Sequence, residues 1–431
     1  MERDYYKKIS IGIDSLLIYR NIIKDDIIQD LKGICELMSS QQMVDMSKLR
    51  TIYFDMCSRL IIKAEHHSFS DNILRDYIMY LFFYDENLYT LQCEKYNTKI
   101  RTSIYNSVLN DVKIMTQLMD FDMTEVSELF GNVFDMRYYR PMNKRTRKYE
   151  QLFLNSSDLE EKAAAMGNHY SQYGCGQIAE YTMFRWDNEK GMIGISNIDT
   201  ITFEDLIGYE AQRKELIENT EAFLNGYPAN NVLLVGARGT GKSSSVKALA
   251  NEYFEKGLRL LEISKEQIIQ FPNILKYIAK RGKKFIIFLD DLSFDNFEIE
   301  YKYMKSLLEG STEKKPDNVL FYATSNRRHI IQETWSDRNG NPNDDVHAAD
   351  SLNEKISLSD RFGLTLTYDK PTQQQYLQMV EAIAVKEGLE YNEAMQKAAI
   401  AWELSQKGRS GRTARQFINS YLYTNSSAKN N

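Results

Sequence analysis

The stretch Asn231–Ala250, NVLLVGARGTGKSSSVKALA, leaves few folds open to the chain that contains it. NVLLV is a short apolar run of the kind that becomes a strand covered on both faces, and the residues after the glycines, SSVKALANEYF, carry a helical pattern. A buried strand that passes through a glycine turn straight into a helix is a connection of a parallel α/β sheet. The turn reads Gly236, Ala237, Arg238, Gly239, Thr240, Gly241, Lys242, Ser243, with Ser244 next, and so has the spacing GxxxxGK[ST]. Glycines let the backbone curl until successive N–H groups point at one spot, and the helix adds its positive N-terminal end. A triphosphate suits that shape: Lys242 is expected at the β- and γ-phosphates and the Ser243 hydroxyl on Mg2+.

Hydrolysis needs a second, acidic strand. Lys284–Asp291, KFIIFLDD, supplies an apolar run ending in two carboxylates, at the strand edge where ligands bind in parallel sheets. Asp290 is expected to hold Mg2+, and Asp291 to polarise the attacking water. A third strand, VLFYATSN, ends at Asn326; taken alone, that residue is as well explained by turn chemistry as by a role in orienting water.

The strand and helix alternation begins near Thr202, which predicts a parallel sheet with helices on both faces. The first 195 residues or so read as mainly helical. Ile23, Ile27, Leu31, Ile34 and Met38 recur at three- and four-residue steps, as do Ile104, Val108, Val112, Met115 and Met119. Ser157-Asp158-Leu159-Glu160 fits a capping box opening a helix that stops near Gly174, and YTMFRW alternates like a strand. The run NKRTRK, Asn143–Lys148, reads as a solvated loop, and the final residues NSSAKNN as a frayed tail. A formal charge of -6 argues against broad attraction to nucleic acid or anionic membrane. Cys35, Cys57, Cys93 and Cys175 form no CxxC pair and signal neither a disulfide framework nor a zinc site. No apolar run approaches the roughly 18 residues of a membrane span, and the start lacks a signal core, so the expected location is cytoplasmic.

Residues from about 200 to 424 resemble an AAA+ ATPase module. FEDLIGYEAQRKEL is similar to the segment whose backbone packs on adenine, which places Leu206, Ile207 and Gly208 at the base. The resemblance makes Asn326, in ATSN, the water-orienting sensor. SDRFG then implies an arginine finger at Arg361 reaching the next subunit's γ-phosphate, and GRTAR implies a lid residue, Arg412 or else Arg415, on the phosphates of its own subunit. More narrowly, NNVLLVGARGTGKSSSVKAL, IIFLDDLSF, ATSNRRHI and LSDRFGL resemble a bacterial family of AAA+ ATP-binding proteins, domain of unknown function 815, which also carries a helical region ahead of the module. The chain departs from many AAA+ members at Asp291, where they place glutamate. One methylene less moves the carboxylate by about 1 Å, and misplacement on that scale costs roughly a hundredfold in rate.

The expected organisation is a helical N-terminal region over 1–195, a nucleotide-binding core over 196–370, a helical lid over 371–424 and a tail over 425–431. The polar connection from Arg327 to Asp360 is long enough to be functional. Its DRNGNPNDD portion lacks the spacing and closing glutamate of a calcium loop, while Arg327 and Arg328 could sense phosphate or pair with nearby acids. The expected activity is ATP binding and Mg2+-dependent hydrolysis coupled to conformational change in a protein client, by a homo-oligomer. The alternatives are a nucleotide-gated scaffold with negligible turnover, and a nucleic-acid loader whose binding falls steeply with salt.

Overall fold

The computed structural model describes residues 2–67, 69, 72–96, 104–134, 147–293, 299–309, 315–326, 361–406 and 408–429. They form two compact units, Met1–Glu180 with Arg281–Lys283, and Tyr181–Lys280 with Lys284–Asn431.

In the first unit, helices α1 (Glu2–Asp14), α2 (Asp26–Ser39), α3 (Met46–His67), α4 (Ile73–Phe83), α5 (Leu88–Tyr96), α6 (Tyr105–Met119), α7 (Thr124–Glu128), α8 (Arg147–Asn155), α9 (Leu159–Tyr173) and α10 (Gln177–Glu180) enclose one apolar core. The periodic stripes explain the packing: Ile27, Leu31 and Ile34 on α2, and Val108, Val112 and Met115 on α6, are buried. The buried Asp111 carboxylate accepts the backbone N–H groups of Leu17, Ile18 and Tyr19 at 2.7 to 3.2 Å, satisfying donors of the segment that leads into the short helical turn Arg20–Lys24. Helix α9 is capped by Asp158, which accepts from the Glu160 N–H, rather than by Ser157 as the capping-box pattern suggests. Of the run Asn143–Lys148, only Arg147 and Lys148 lie within the described residues, and they begin α8.

His169 on α9 is fully buried among the rings of Phe83, Tyr84, Tyr149, Tyr170 and Tyr173, and neither ring nitrogen has a hydrogen-bond partner among the described residues. Burial, assisted by the Lys283 charge, pulls its pKa from the usual 6.5 down to about 3. The folded ring therefore stays neutral where the unfolded chain takes up a proton, so stability falls as the pH drops from 6.5 toward 3. One proton of difference is worth about 1.4 kcal/mol per pH unit, so His169 is expected to remove about 2 kcal/mol between pH 6.5 and 5. Urea unfolding at the two pH values should show this loss in the wild type and a smaller one in His169→Phe. Equal losses in both proteins would rule out His169 as its source.

The second unit holds strands β1 (Met183–Asp187) and β2 (Gly191–Gly194), helix α11 (Glu210–Leu224), β3 (Val232–Gly236), α12 (Lys242–Glu252), β4 (Leu258–Glu262), α13 (Phe271–Ile278), β5 (Lys284–Leu289), α14 (Ile299–Glu309), β6 (Val319–Ser325) and β7 (Leu364–Tyr368). They build one sheet in the order β2-β1-β4-β5-β6-β3-β7, parallel except for the β1-β2 pair. All seven residues of β6 are buried, as are Val232–Val235 of β3 and Phe285–Leu289 of β5, as expected of strands covered on both faces. Strand β3 pairs with β6 on one side and β7 on the other, so the chain's first core strand sits where strand order reverses, the place at which open parallel sheets bind ligands.

Helices α15 (Gln373–Lys386), α16 (Glu393–Ser405) and α17 (Gly411–Lys429) follow and pack around Tyr376, Val380, Met395, Ala399, Phe417 and Ile418. The core order β4-β5-β6-β3-β7 with this helical lid is an α/β P-loop fold of AAA+ type. Two boundaries differ from the sequence expectation. Strands β1 and β2 lie inside 1–195 yet extend the sheet, because the β1 backbone pairs with β4 from Met183 to Arg185. Helix α17 runs to Lys429, through most of the expected tail.

Candidate functional site

The loop after β3 is shaped by close backbone approach. Gly236 has φ +139°, and a Cβ there would lie 2.0 Å from the Tyr368 carbonyl oxygen, which accepts the Ala237 N–H at 3.1 Å. Gly239 has φ +76°, and a Cβ there would meet the Ser410 Oγ at 2.9 Å, so only glycine lets the loop run this close to the start of α17. Gly241 is the N-cap of α12 and offers no capping side chain. First-turn N–H groups without a side-chain acceptor are the donors that a bound anion satisfies.

Lys242 is buried, and its ammonium donates to the carbonyls of Gly236 (3.0 Å) and Ala237 (2.8 Å) and to Asn326 Oδ1 (3.2 Å). Burial pushes its pKa below the usual lysine range, against the pull of Asp290 and Asp291. A cation held at such a position gains from an incoming anion. The Asn326 amide in turn donates to Asp291 Oδ1, so Lys242, Asn326 and Asp291 form one hydrogen-bonded row across the ends of β3, β6 and β5. Asp291 has φ +53°, and Arg238 lies 3.8 Å from its second oxygen. Its N–H donates to the Thr324 Oγ1 at 2.9 Å.

Asp290 accepts the Ser243 hydroxyl at 2.6 Å and the Thr324 hydroxyl at 2.5 Å. A hydroxyl and a carboxylate side by side suit Mg2+, which takes few protein ligands and completes its octahedron with waters and phosphate oxygens. Among the described residues no cluster of three or more His, Cys, Asp or Glu could hold a metal by itself. Ser243 and Asp290 would therefore hold the ion only together with a phosphate.

These groups line a cavity of about 810 Å3, within the usual range for small-molecule sites of roughly 300 to 1,000 Å3. Leu206, Ile207, Gly208, Tyr209, Met379 and Ile383 form another part of its wall, and Arg238, Gly239, Thr240, Gly241, Lys242, Ser243, Ser244, Asp290, Asp291 and Asn326 line it too. From the lid come Arg412 and Arg415; Arg415 is paired with Glu387 at 2.6 Å, whereas Arg412 is exposed. Arg361 lies just before β7 and is not on the cavity wall. Ser359, Asp360, Arg327, Arg328 and the Asn339–Pro342 segment lie outside the described residues. Sequence reading passed over Thr324, the last residue but one of the fully buried β6. It also passed over Arg213, whose partners are the backbone carbonyls of Phe203 and Leu206 in the turn before its helix, a contact that leaves no mark in the residue pattern.

Residues 179–425 match the family described as "Protein of unknown function (DUF815)". Among curated proteins, the chain is 31% identical over 229 residues to a "Putative cell division cycle ATPase" of Plasmodium falciparum, covering 45% of this chain and 18% of that protein. It is 33% identical over 98 residues to the "Replication factor C large subunit" of Staphylothermus marinus, covering 20% of this chain and 22% of that one. The chain thus spans less than a quarter of either relative. Among solved structures, a point mutant of Thermotoga maritima RuvB is similar at 18% identity and TM-score 0.34, over 50% of this chain and 62% of that one. The strand order above, rather than this superposition, identifies the fold.

Proposed function

We propose that this chain, which belongs to the DUF815 family of proteins of unknown function, binds ATP with Mg2+ and hydrolyses it, using the cycle to change conformation and remodel a client. The observation that carries this reading is the row Lys242, Asn326, Asp291, beside Ser243 and Asp290, in a single cavity. Lys242 and the N–H groups of the loop bind the phosphates, and the backbone of Leu206–Gly208 receives the base. Ser243 and Asp290 hold the metal; Mg2+, when bound, neutralises charge on the phosphates during transfer. Asp291 orients a water and accepts its proton while Asn326 fixes the direction of the carboxylate. Arg412 reaches the phosphates from the lid, so that loss of the γ-phosphate alters the relation of lid to core. Arg361 completes the site of a neighbouring subunit in a homo-oligomer.

Asp291→Asn separates binding from chemistry. It keeps shape and hydrogen bonding but removes the base, so ATP affinity is expected within a few fold of wild type while phosphate release falls by roughly 10² or more. Unchanged turnover in this variant would remove Asp291 from the chemistry.

A second reading has its own observation. Asp291 is a methylene shorter than the glutamate of many AAA+ proteins, sits at φ +53° and has Asn326 on one oxygen and Arg238 near the other. This supports a nucleotide-gated switch, which predicts tight ATP binding with negligible phosphate release. The name of the Staphylothermus relative is the support for a nucleic-acid loader, which predicts DNA binding that weakens steeply with salt.

A further inference from the structure

The turn Thr202–Tyr209, which carries the proposed base-receiving backbone, is held from two directions. From the core, Arg213 of α11 donates through Nη1 to the carbonyl oxygens of Phe203 (2.9 Å) and Leu206 (2.5 Å). Its side chain is only 15% exposed and forms part of the cavity wall. From the lid, Lys386 at the end of α15 pairs with the Asp205 carboxylate. The other oxygen of that carboxylate accepts the Thr202 N–H at 2.8 Å and the Thr202 hydroxyl at 3.1 Å, closing the capping box of the turn. The Lys386 ammonium, with help from Thr202, holds Asp205 below the usual carboxylate range. Gly208, at φ +80°, faces Met379 of the same lid helix.

We infer that Arg213 and Lys386 are positioning residues for base recognition: Arg213 fixes the turn against the core and Lys386 joins it to the lid, so that the lid senses a nucleotide base at Leu206–Gly208. The inference rests on the reading of this cavity as an ATP site. A backbone that reads a base must hold its N–H and C=O groups to within about 0.5 Å. One planar guanidinium clamping two carbonyls of a single turn supplies that rigidity, and a lysine in its place, a point charge, reproduces it only in part. The lid attachment lies on the same turn, so occupancy of the base site and lid position are coupled through Asp205.

Inorganic tripolyphosphate with Mg2+ is the informative probe beside ATP, because it has phosphates and no base. Arg213→Ala is expected to weaken ATP about tenfold, the equivalent of about 1.4 kcal/mol, while tripolyphosphate affinity stays at its wild-type value. Arg213→Lys should recover part of the loss. Lys386→Ala should cost ATP up to about threefold, as an exposed pair does, and should abolish the protection of the lid from trypsin that ATP, but not tripolyphosphate, gives the wild type. Equal weakening of both ligands in Arg213→Ala, without recovery by lysine, would make Arg213 merely structural and overturn the core half. Undiminished lid protection in Lys386→Ala would overturn the lid half. A wild-type protein that binds neither ligand would defeat the ATP-site reading itself, and the inference with it.

Discussion

Arg281→Met is expected to cost the N-terminal unit about 3 to 5 kcal/mol, the usual penalty for stranding a buried charge. The Arg281 side chain is 2% exposed and Glu94 is fully buried; Nε and Nη2 form a two-point pair with the Glu94 carboxylate at 3.0 and 2.6 Å. Nη1 reaches Glu86 at 2.6 Å, and Nη2 also donates to the Cys175 carbonyl at 2.8 Å. Glu94 further accepts the N–H groups of Gly282 (2.8 Å) and Cys175 (3.1 Å). Removing the guanidinium leaves that carboxylate charged in a dry site, with only neutral donors. Adding Glu94→Gln should recover part of the loss, since the amide oxygen still accepts while the charge is gone. Urea unfolding of the wild type, the single variant and the double variant checks this. A loss below about 1 kcal/mol, the range of an exposed pair, or a further loss in the double variant, would show that the charge pair is not what holds the segment.

Lys242→Ala is expected to lower ATP turnover by roughly 10² to 10³, the usual effect of removing one preorganised donor from developing charge. ATP affinity should fall as well, because the ammonium is already desolvated and gains more from a phosphate than an exposed lysine would. The variant also frees the Gly236 and Ala237 carbonyls and the Asn326 amide oxygen that the ammonium holds. Lys242→Met fills the same volume without charge and separates the two causes. A loss as large in Lys242→Met as in Lys242→Ala places the effect on the charge, whereas recovery in the methionine variant would place it on packing. Isothermal titration with ATP and Mg2+, beside phosphate release, reads both quantities.

The residues legible from sequence are those whose job falls to the backbone or to the tip of a strand. Gly236 and Gly239 are required by close approach, and the run of buried positions in β3 and β5 announces central parallel strands before any contact is known. Lys242, Ser243 and Asp290 follow from fixed offsets on those elements and Asn326 only from the family resemblance, and the fold places all four on one cavity wall. What escaped reading depends on partners far away in the chain. Arg281 meets Glu94, and Lys386 meets Asp205, across separations that no local period encodes. The alternation of YTMFRW reveals a strand but not its sheet, so the pairing of β1 with β4 appears only in the fold. The polar end of the chain looked like a tail because it has few apolar residues. Yet α17 is anchored by Phe417 and Ile418, and once nucleated it propagates through Ser426 and Ser427 to Lys429.

The most direct test of the central claim, that this cavity hydrolyses ATP, is steady-state phosphate release by wild-type protein with ATP and Mg2+ over a range of protein concentrations, beside Lys242→Ala. The account predicts release that disappears in the variant and, with Arg361 acting across subunits, rises per molecule with concentration. Release that persists in Lys242→Ala, or no release from a wild type that binds ATP through Lys242, would contradict it.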